Sequence, residues 1–260
     1  MAAFAMALAA GGAAAQVPQQ ADTRLGADLA RVAKLRVFFG HQSVGENVLE
    51  GVQGLAGQAG LPLRVAEMKS AAGVPPGTLG HAFVGENRFP LGKLEAFEQA
   101  LGPRPSGLNA ALVKFCYLDI DERTDVKALF ENYRARIEAL RSRHPGTAFV
   151  HVTAPLTQVQ GGLKGLAKRL LGRAPYGALE NQRRAEYNAL LRAAYAGRQP
   201  IFDLARIEST APDGSTVQVE WAGRESPALA AAWTDDGHHL NAEGRRRAAR
   251  ELIALLAALP

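Results

Sequence analysis

The chain has 260 residues, 47% of them hydrophobic and 21% charged, and a formal net charge of +5. This balance excludes a disordered chain and suits one α/β domain with a single sizeable core. One cysteine, Cys116, excludes an intramolecular disulfide, and the basic residues lie scattered along helical stretches without a nucleic-acid motif, so no nucleic-acid partner is expected.

Residues 1–15, MAAFAMALAAGGAAA, are small, apolar and uncharged, and end in an Ala-x-Ala pattern. They read as the apolar region and cleavage site of a secretory signal peptide, although no basic residues precede them. A secreted or periplasmic location follows as an expectation. Residues 16–27 are polar and mixed and read as a linker, which leaves 28–260 as the folded domain. No later stretch reaches the ~18 uninterrupted apolar residues of a membrane span.

From Leu35, LRVFFG is a short strand closed by glycine, and Val44, Val48, Leu49 and Val52 follow it at helical spacing. LRVAEM is a second strand. The stretch SAAGVPPGTLGHAFVGENRFPLG then reads as a long Gly/Pro-rich loop, of a length that marks a functional segment. KLEAFEQAL is helical, and LNAALVKFCYLDI is a strand covered on both faces, with Cys116 a core thiol. Val126, Leu129, Phe130, Tyr133, Ile137 and Leu140 mark an amphipathic helix that stops before Pro145 and Gly146, and the strand TAFVHVTAP follows. Residues 157–178 form a Gly-rich, basic, amphipathic insertion. A helix from about Glu180 to Tyr195, the strand PIFDLA, a polar stretch, WTDDGHHLNAEG and an alanine-rich last helix complete the chain. Strands alternating with helices imply βαβ units: a mostly parallel sheet with helices on both faces, whose ligand site lies beyond the carboxyl ends of the strands.

Three loops after such strands concentrate reactive groups: GHQSVG at 40–45, the loop from Ser70 to Asn87, and TDDGHHLN at 234–241. In GHQSVG the strand gives way to a helix, which sets Ser43 at a helix N-terminus, near unpaired N–H groups that would stabilise an oxyanion. The bland alternative makes Ser43 an N-cap. In Asp236-Gly237-His238-His239-Leu240-Asn241, an aspartate three residues before a histidine can orient the base that a serine hydroxyl needs. The alternative is a turn whose Asn241 caps the last helix, which accounts for the glycine and asparagine but not for two adjacent histidines. A metal site from His41, His238, His239, Asp235 and Asp236 is conceivable, but no ligand pair at helical spacing supports it. No metal and no cofactor is therefore expected.

A serine after a first strand together with Asp-Gly-x-His-Leu-Asn before the last helix resembles the SGNH/GDSL hydrolase family. The resemblance implies a flavodoxin-like three-layer α/β/α sandwich and a triad of Ser43 as nucleophile, His239 as base and Asp236 as its orienting carboxylate. It also implies an enzyme acting on esters, with a small-molecule or glycan ester as substrate. The first block departs from the family's Gly-Asp-Ser, reading Gly40-His41-Gln42-Ser43. In the third block Leu118 stands where the family has an asparagine that donates to the oxyanion, and Gln42, Asn87 or the backbone N–H of Gly73 are candidate substitutes. His41 and His238 are candidate cleft-lining residues. The rival expectation is a non-catalytic glycan-binding or accessory protein on the same scaffold, which Leu118 favours.

Overall fold

The computed structural model describes residues 16–260; the expected leader, 1–15, lies outside them. In chain order the elements are α1 (Gln16–Val32), β1 (Arg36–His41), α2 (Val44–Gln58), β2 (Arg64–Glu67), β3 (Thr78–Phe83), α3 (Pro90–Leu101), β4 (Ala110–Val113), α4 (Val126–Arg143), β5 (Ala148–Val152), α5 (Gly162–Leu170), α6 (Ala178–Tyr195), β6 (Ile201–Phe202), α7 (Leu204–Ser209), β7 (Gln218–Trp221), β8 (Arg224–Pro227) and α8 (Ala242–Ala257). Six strands make one sheet in the order β2-β3-β1-β4-β5-β6, every neighbouring pair parallel. Without the edge strand β2, this is the 2-1-3-4-5 order of flavodoxin-like folds.

Both sheet faces are covered. Leu29 and Val32 of α1, Val48 and Val52 of α2, and Leu252 and Ile253 of α8 pack on one face. Leu94 and Phe97 of α3, Leu129 and Phe130 of α4, and Tyr187 and Leu191 of α6 pack on the other. The central strands are accordingly apolar on both sides, as in the burial of Val37, Phe38 and Phe39. From β1 the chain builds first toward β3 and β2, then on the other side toward β4, β5 and β6. The carboxyl end of β1 is therefore the topological switch point, where such sheets open a crevice.

Four expectations are corrected. Residues 16–27 are not a linker but most of α1, which buries Leu29 and Val32 one turn apart and packs Leu25 on the same core. The Gly/Pro-rich stretch after β2 is not all loop: its centre is β3, the strand beside β1. Gly80 belongs there because a Cβ at that position would stand 2.8 Å from the Met68 sulfur. The third apolar run leaves the sheet at Val113, and Cys116, fully buried as a core thiol, lies in the turn beyond. The polar stretch before the last helix contains the antiparallel hairpin β7–β8.

Candidate active site

Ser43 is separated from the end of β1 by one residue and directly precedes α2, in an unusual backbone conformation, φ 48° and ψ −108°. For a residue with a Cβ this is sparsely populated and costs of order 1–3 kcal/mol. Its hydroxyl does not cap α2. It lies 2.6 Å from His239 Nε2 instead, and on the far side of that ring Nδ1 lies 2.7 Å from Asp236 Oδ2. The Asp236 Oδ1 atom accepts the backbone N–H groups of His238 and His239, each at 2.8 Å, and Thr234 Oγ1 donates to it at 3.3 Å. Desolvation pushes the Asp236 carboxyl up, but these N–H donors and the His239 ring outweigh it and hold the group well below the usual carboxylate range. An ionised Asp236 fixes the proton of His239 on Nδ1 and leaves Nε2 to accept one from Ser43.

Buried polar contacts bring these loops together. Asn47 on the first turn of α2 accepts the N–H of Leu240, which ties the serine helix to the histidine loop, while Asn241 caps α8 through Gly244. Tyr117 stacks on His238 at 5.3 Å and meets His239 edge-on at 5.9 Å. Its carbonyl is gripped by the buried Arg184 guanidinium through two hydrogen bonds.

The loop leaving β3 reaches the same place. Val84 N–H donates to the His41 carbonyl, and the Gln42 side-chain amide donates to the carbonyls of Val84 and Gly85. Asn87 Oδ1 accepts the fully buried Lys93 ammonium at 2.7 Å. Lysine can only donate, so the amide orientation of Asn87 is determined and its NH2 end is the free one. Lys93 also pairs at 2.6 Å with Asp119, which accepts the N–H groups of Arg88 and Cys116 and so clamps the loop after β4 to the loop after β3. Among the described residues, the N–H groups of Ser43 and Gly85 and the Asn87 NH2 make no hydrogen bond within the chain.

The structure thus brings Ser43, Asp236 and His239 together, with Asn87 on the adjoining loop. It separates Gln42, Gly73 and His41 from the roles expected of them. Gln42 spends its amide on the β3 loop. Gly73 lies in the segment that enters β3, whereas the glycine at the carboxyl end of that strand is Gly85. His41 is fully buried, its Nε2 3.0 Å from His81 Nδ1, and burial, with Lys114 and His81 nearby, lowers its pKa to about 3. His238 does line the cleft, against Tyr117 and Tyr176. Leu118 sits in the turn after β4, half-buried. Among the described residues no three His, Cys, Asp or Glu side chains are grouped to hold a metal ion. Sequence reasoning missed Gly85, Lys93, Asp119 and Tyr117; the signal for the first was the unrecognised strand TLGHAF before it.

No family model matches the chain, and no curated protein matches its sequence. Solved structures do. A Streptococcus pneumonia protein provisionally described as a platelet activating factor is similar at 15% identity, with 92% of each chain covered and a TM-score of 0.50. A GDSL-like lipase from Bacteroides thetaiotaomicron is similar at 13% identity, covering 90% of this chain and 94% of its own, also with a TM-score of 0.50. At such identities the likeness is one of fold: the chain has the SGNH/GDSL fold in a divergent form.

Proposed function

We propose that this protein is a serine-dependent ester hydrolase, or an acyl transferase, that works through an acyl-Ser43 intermediate. The observation that carries this reading is the continuous chain Ser43 Oγ, His239 Nε2, His239 Nδ1, Asp236 Oδ2, with both links at hydrogen-bond distance. In the first step Ser43 Oγ bonds to the ester carbonyl carbon while its proton passes to His239 Nε2. The carbonyl oxygen, now an anion, is held by the N–H groups of Ser43 and Gly85 and by the Asn87 amide, which stands in for the asparagine that Leu118 replaces. Collapse of this tetrahedral species breaks the bond to the alcohol oxygen, which leaves with the proton from His239. Water, or an acceptor alcohol, repeats the sequence on the acyl-enzyme and restores Ser43.

The substrate we propose is an O-acyl, specifically an O-acetyl, group on an envelope or extracellular glycan. Its supports are the leader-like residues 1–15 and the basic net charge of the chain. The rival, a glycan-binding accessory protein without turnover, draws on Leu118.

Labelling with a fluorophosphonate probe, mapped by mass spectrometry, separates the two. The esterase reading expects modification of Ser43 that disappears in Ser43→Ala and His239→Ala, followed by deacetylation of an acetylated glycan. A folded chain that leaves the probe unreacted and binds glycan without turnover would overturn it.

A further inference from the structure

Helix α5 turns its apolar side away from the protein. At about 100° per residue, Leu163, Leu166 and Leu170 share one side, Gly165 and the half-buried Lys168 lie on the opposite one, and Arg169 falls between the two. The second side faces inward. Gly165 is buried, and a Cβ there would stand 2.2 Å from the Gln160 carbonyl oxygen. Arg169 donates to the Glu220 carbonyl and lies over the Trp221 ring. Leu163 is consequently 86% exposed and Leu170 79%, with Leu171 beside them at 71%, the reverse of an ordinary surface helix.

The remaining exposed large hydrophobic residues among those described are Phe83, Phe89, Leu91 and Tyr176. They belong to the end of β3 with its following loop and helix start, and to the insertion that carries α5. Both segments leave carboxyl ends of strands, the end of the sheet where Ser43 lies. The base of the insertion is bonded to the histidine loop through Gln158 N–H and the Gly237 carbonyl. Exposed apolar residues gathered at one end mark an interaction surface. Its charge narrows the partner: Lys164, Lys168, Arg169 and Arg173 lie in the insertion, and no acidic residue occurs from 157 to 179. Leucines on one side of a helix and lysines on the other are the pattern of a helix lying in a lipid interface.

We propose that α5, together with the loop after β3, docks on an anionic phospholipid bilayer and holds the mouth of the Ser43 cleft against it. A second copy of the chain would set two basic surfaces against each other, and a nucleic acid would leave the leucines in water. The helix has nine residues, too few to cross a bilayer, so it lies in the interface. The docking stands without the esterase reading and goes beyond it, since it would confine the enzyme to substrates at a membrane surface.

The test is co-sedimentation of the full chain with phosphatidylcholine vesicles, with and without phosphatidylglycerol. The expected result is binding that requires phosphatidylglycerol and weakens with salt. It should fall at least about tenfold in Leu166→Asp/Leu170→Asp, and by roughly fivefold per residue removed in Lys164→Glu/Arg173→Glu. Both variants carry the native residues 1–15, so any affinity of that segment cancels, and both change exposed positions, so circular dichroism should match that of the parent. Equal sedimentation with and without phosphatidylglycerol, undiminished binding by the leucine variant, or a leucine-dependent dimer in analytical ultracentrifugation would overturn the proposal. Reaction of Ser43 with a soluble fluorophosphonate is measured separately, so loss of one reading does not entail loss of the other.

Discussion

Asn87 carries the sharpest prediction, because two substitutions at it separate catalysis from stability. Its carbonyl end is bound to Lys93 and its NH2 end is free. In Asn87→Ala the lost NH2 removes one donor from the oxyanion site, which should lower kcat by about 100- to 1,000-fold, or roughly 2.7–4 kcal/mol of transition-state stabilisation, with KM little changed. The same substitution takes a neutral acceptor from a buried ammonium, at about 1–3 kcal/mol. Lys93 keeps its 2.6 Å contact with Asp119, so the larger penalty of an orphaned buried charge does not arise. Asn87→Asp restores an acceptor for Lys93 but offers the oxyanion no donor and adds a negative charge. Its Tm should return toward the parent value while kcat stays at or below that of Asn87→Ala. Turnover of a soluble aryl ester and thermal denaturation on the three proteins give the comparison. A kcat in Asn87→Ala within roughly threefold of the parent, less than 1 kcal/mol, would refute the assignment, as would an active Asn87→Asp.

Asp236→Asn should leave the fold unchanged by circular dichroism and lower ester turnover by about 10,000-fold, because an amide that donates to His239 selects the wrong tautomer; turnover within tenfold of the parent would show that His239 does not act as the base. Stability should fall as pH drops from about 6.5 toward 4: burial holds His41 at about 3 and His151 at about 4, so the unfolded chain takes up protons that the fold excludes, at up to about 1.4 kcal/mol per pH unit for each histidine. Glu208, raised by burial to about 8, works in the opposite direction but is one group against two; Tm across this range should therefore decline, less steeply in His151→Gln, and a Tm that rises on acidification would contradict the burial argument.

The legible parts of the site are those whose chemistry is local in sequence. Asp236 and His239 share one loop, and Ser43 follows an unmistakable apolar strand. What escaped reading depends on contacts distant in sequence. TLGHAF is interrupted by Gly80 and follows two prolines, so its period-2 pattern is lost in loop composition; it is a strand because β1 and β2 flank it. Gly85 and Asn87 could not be placed without that strand, and the assignment to Gly73 chose the wrong end of it. The hairpin β7–β8 was equally silent. Its two-residue turn has Ala222 and Gly223 at φ 53° and 74°, where an Asn-Gly pair would have announced it. In α1 the apolar residues are too few to stand out among glutamines and charges until α8 supplies the surface they cover.

The backbone at Ser43 bears on what kind of protein this is. A serine that merely started α2 would adopt extended φ/ψ and turn its hydroxyl to a backbone N–H of the first turn. Here the residue holds φ 48° and gives up the cap. The neighbouring packing enforces this turn: a Cβ at Gly45 would stand 2.4 Å from His41 Cβ, so α2 starts directly against the end of β1, and the Gln42 amide is tied to the β3 loop on the other side. Strain of this kind persists where the surroundings over-determine it, and such places are drawn from functional sites. A scaffold that only bound glycan would gain nothing from it, because an unstrained capping serine would present the same cleft. A nucleophile gains the 2.6 Å approach to His239 together with an N–H left unpaired at its own backbone. On the proposed mechanism, one residue then serves both halves of the acyl-transfer step.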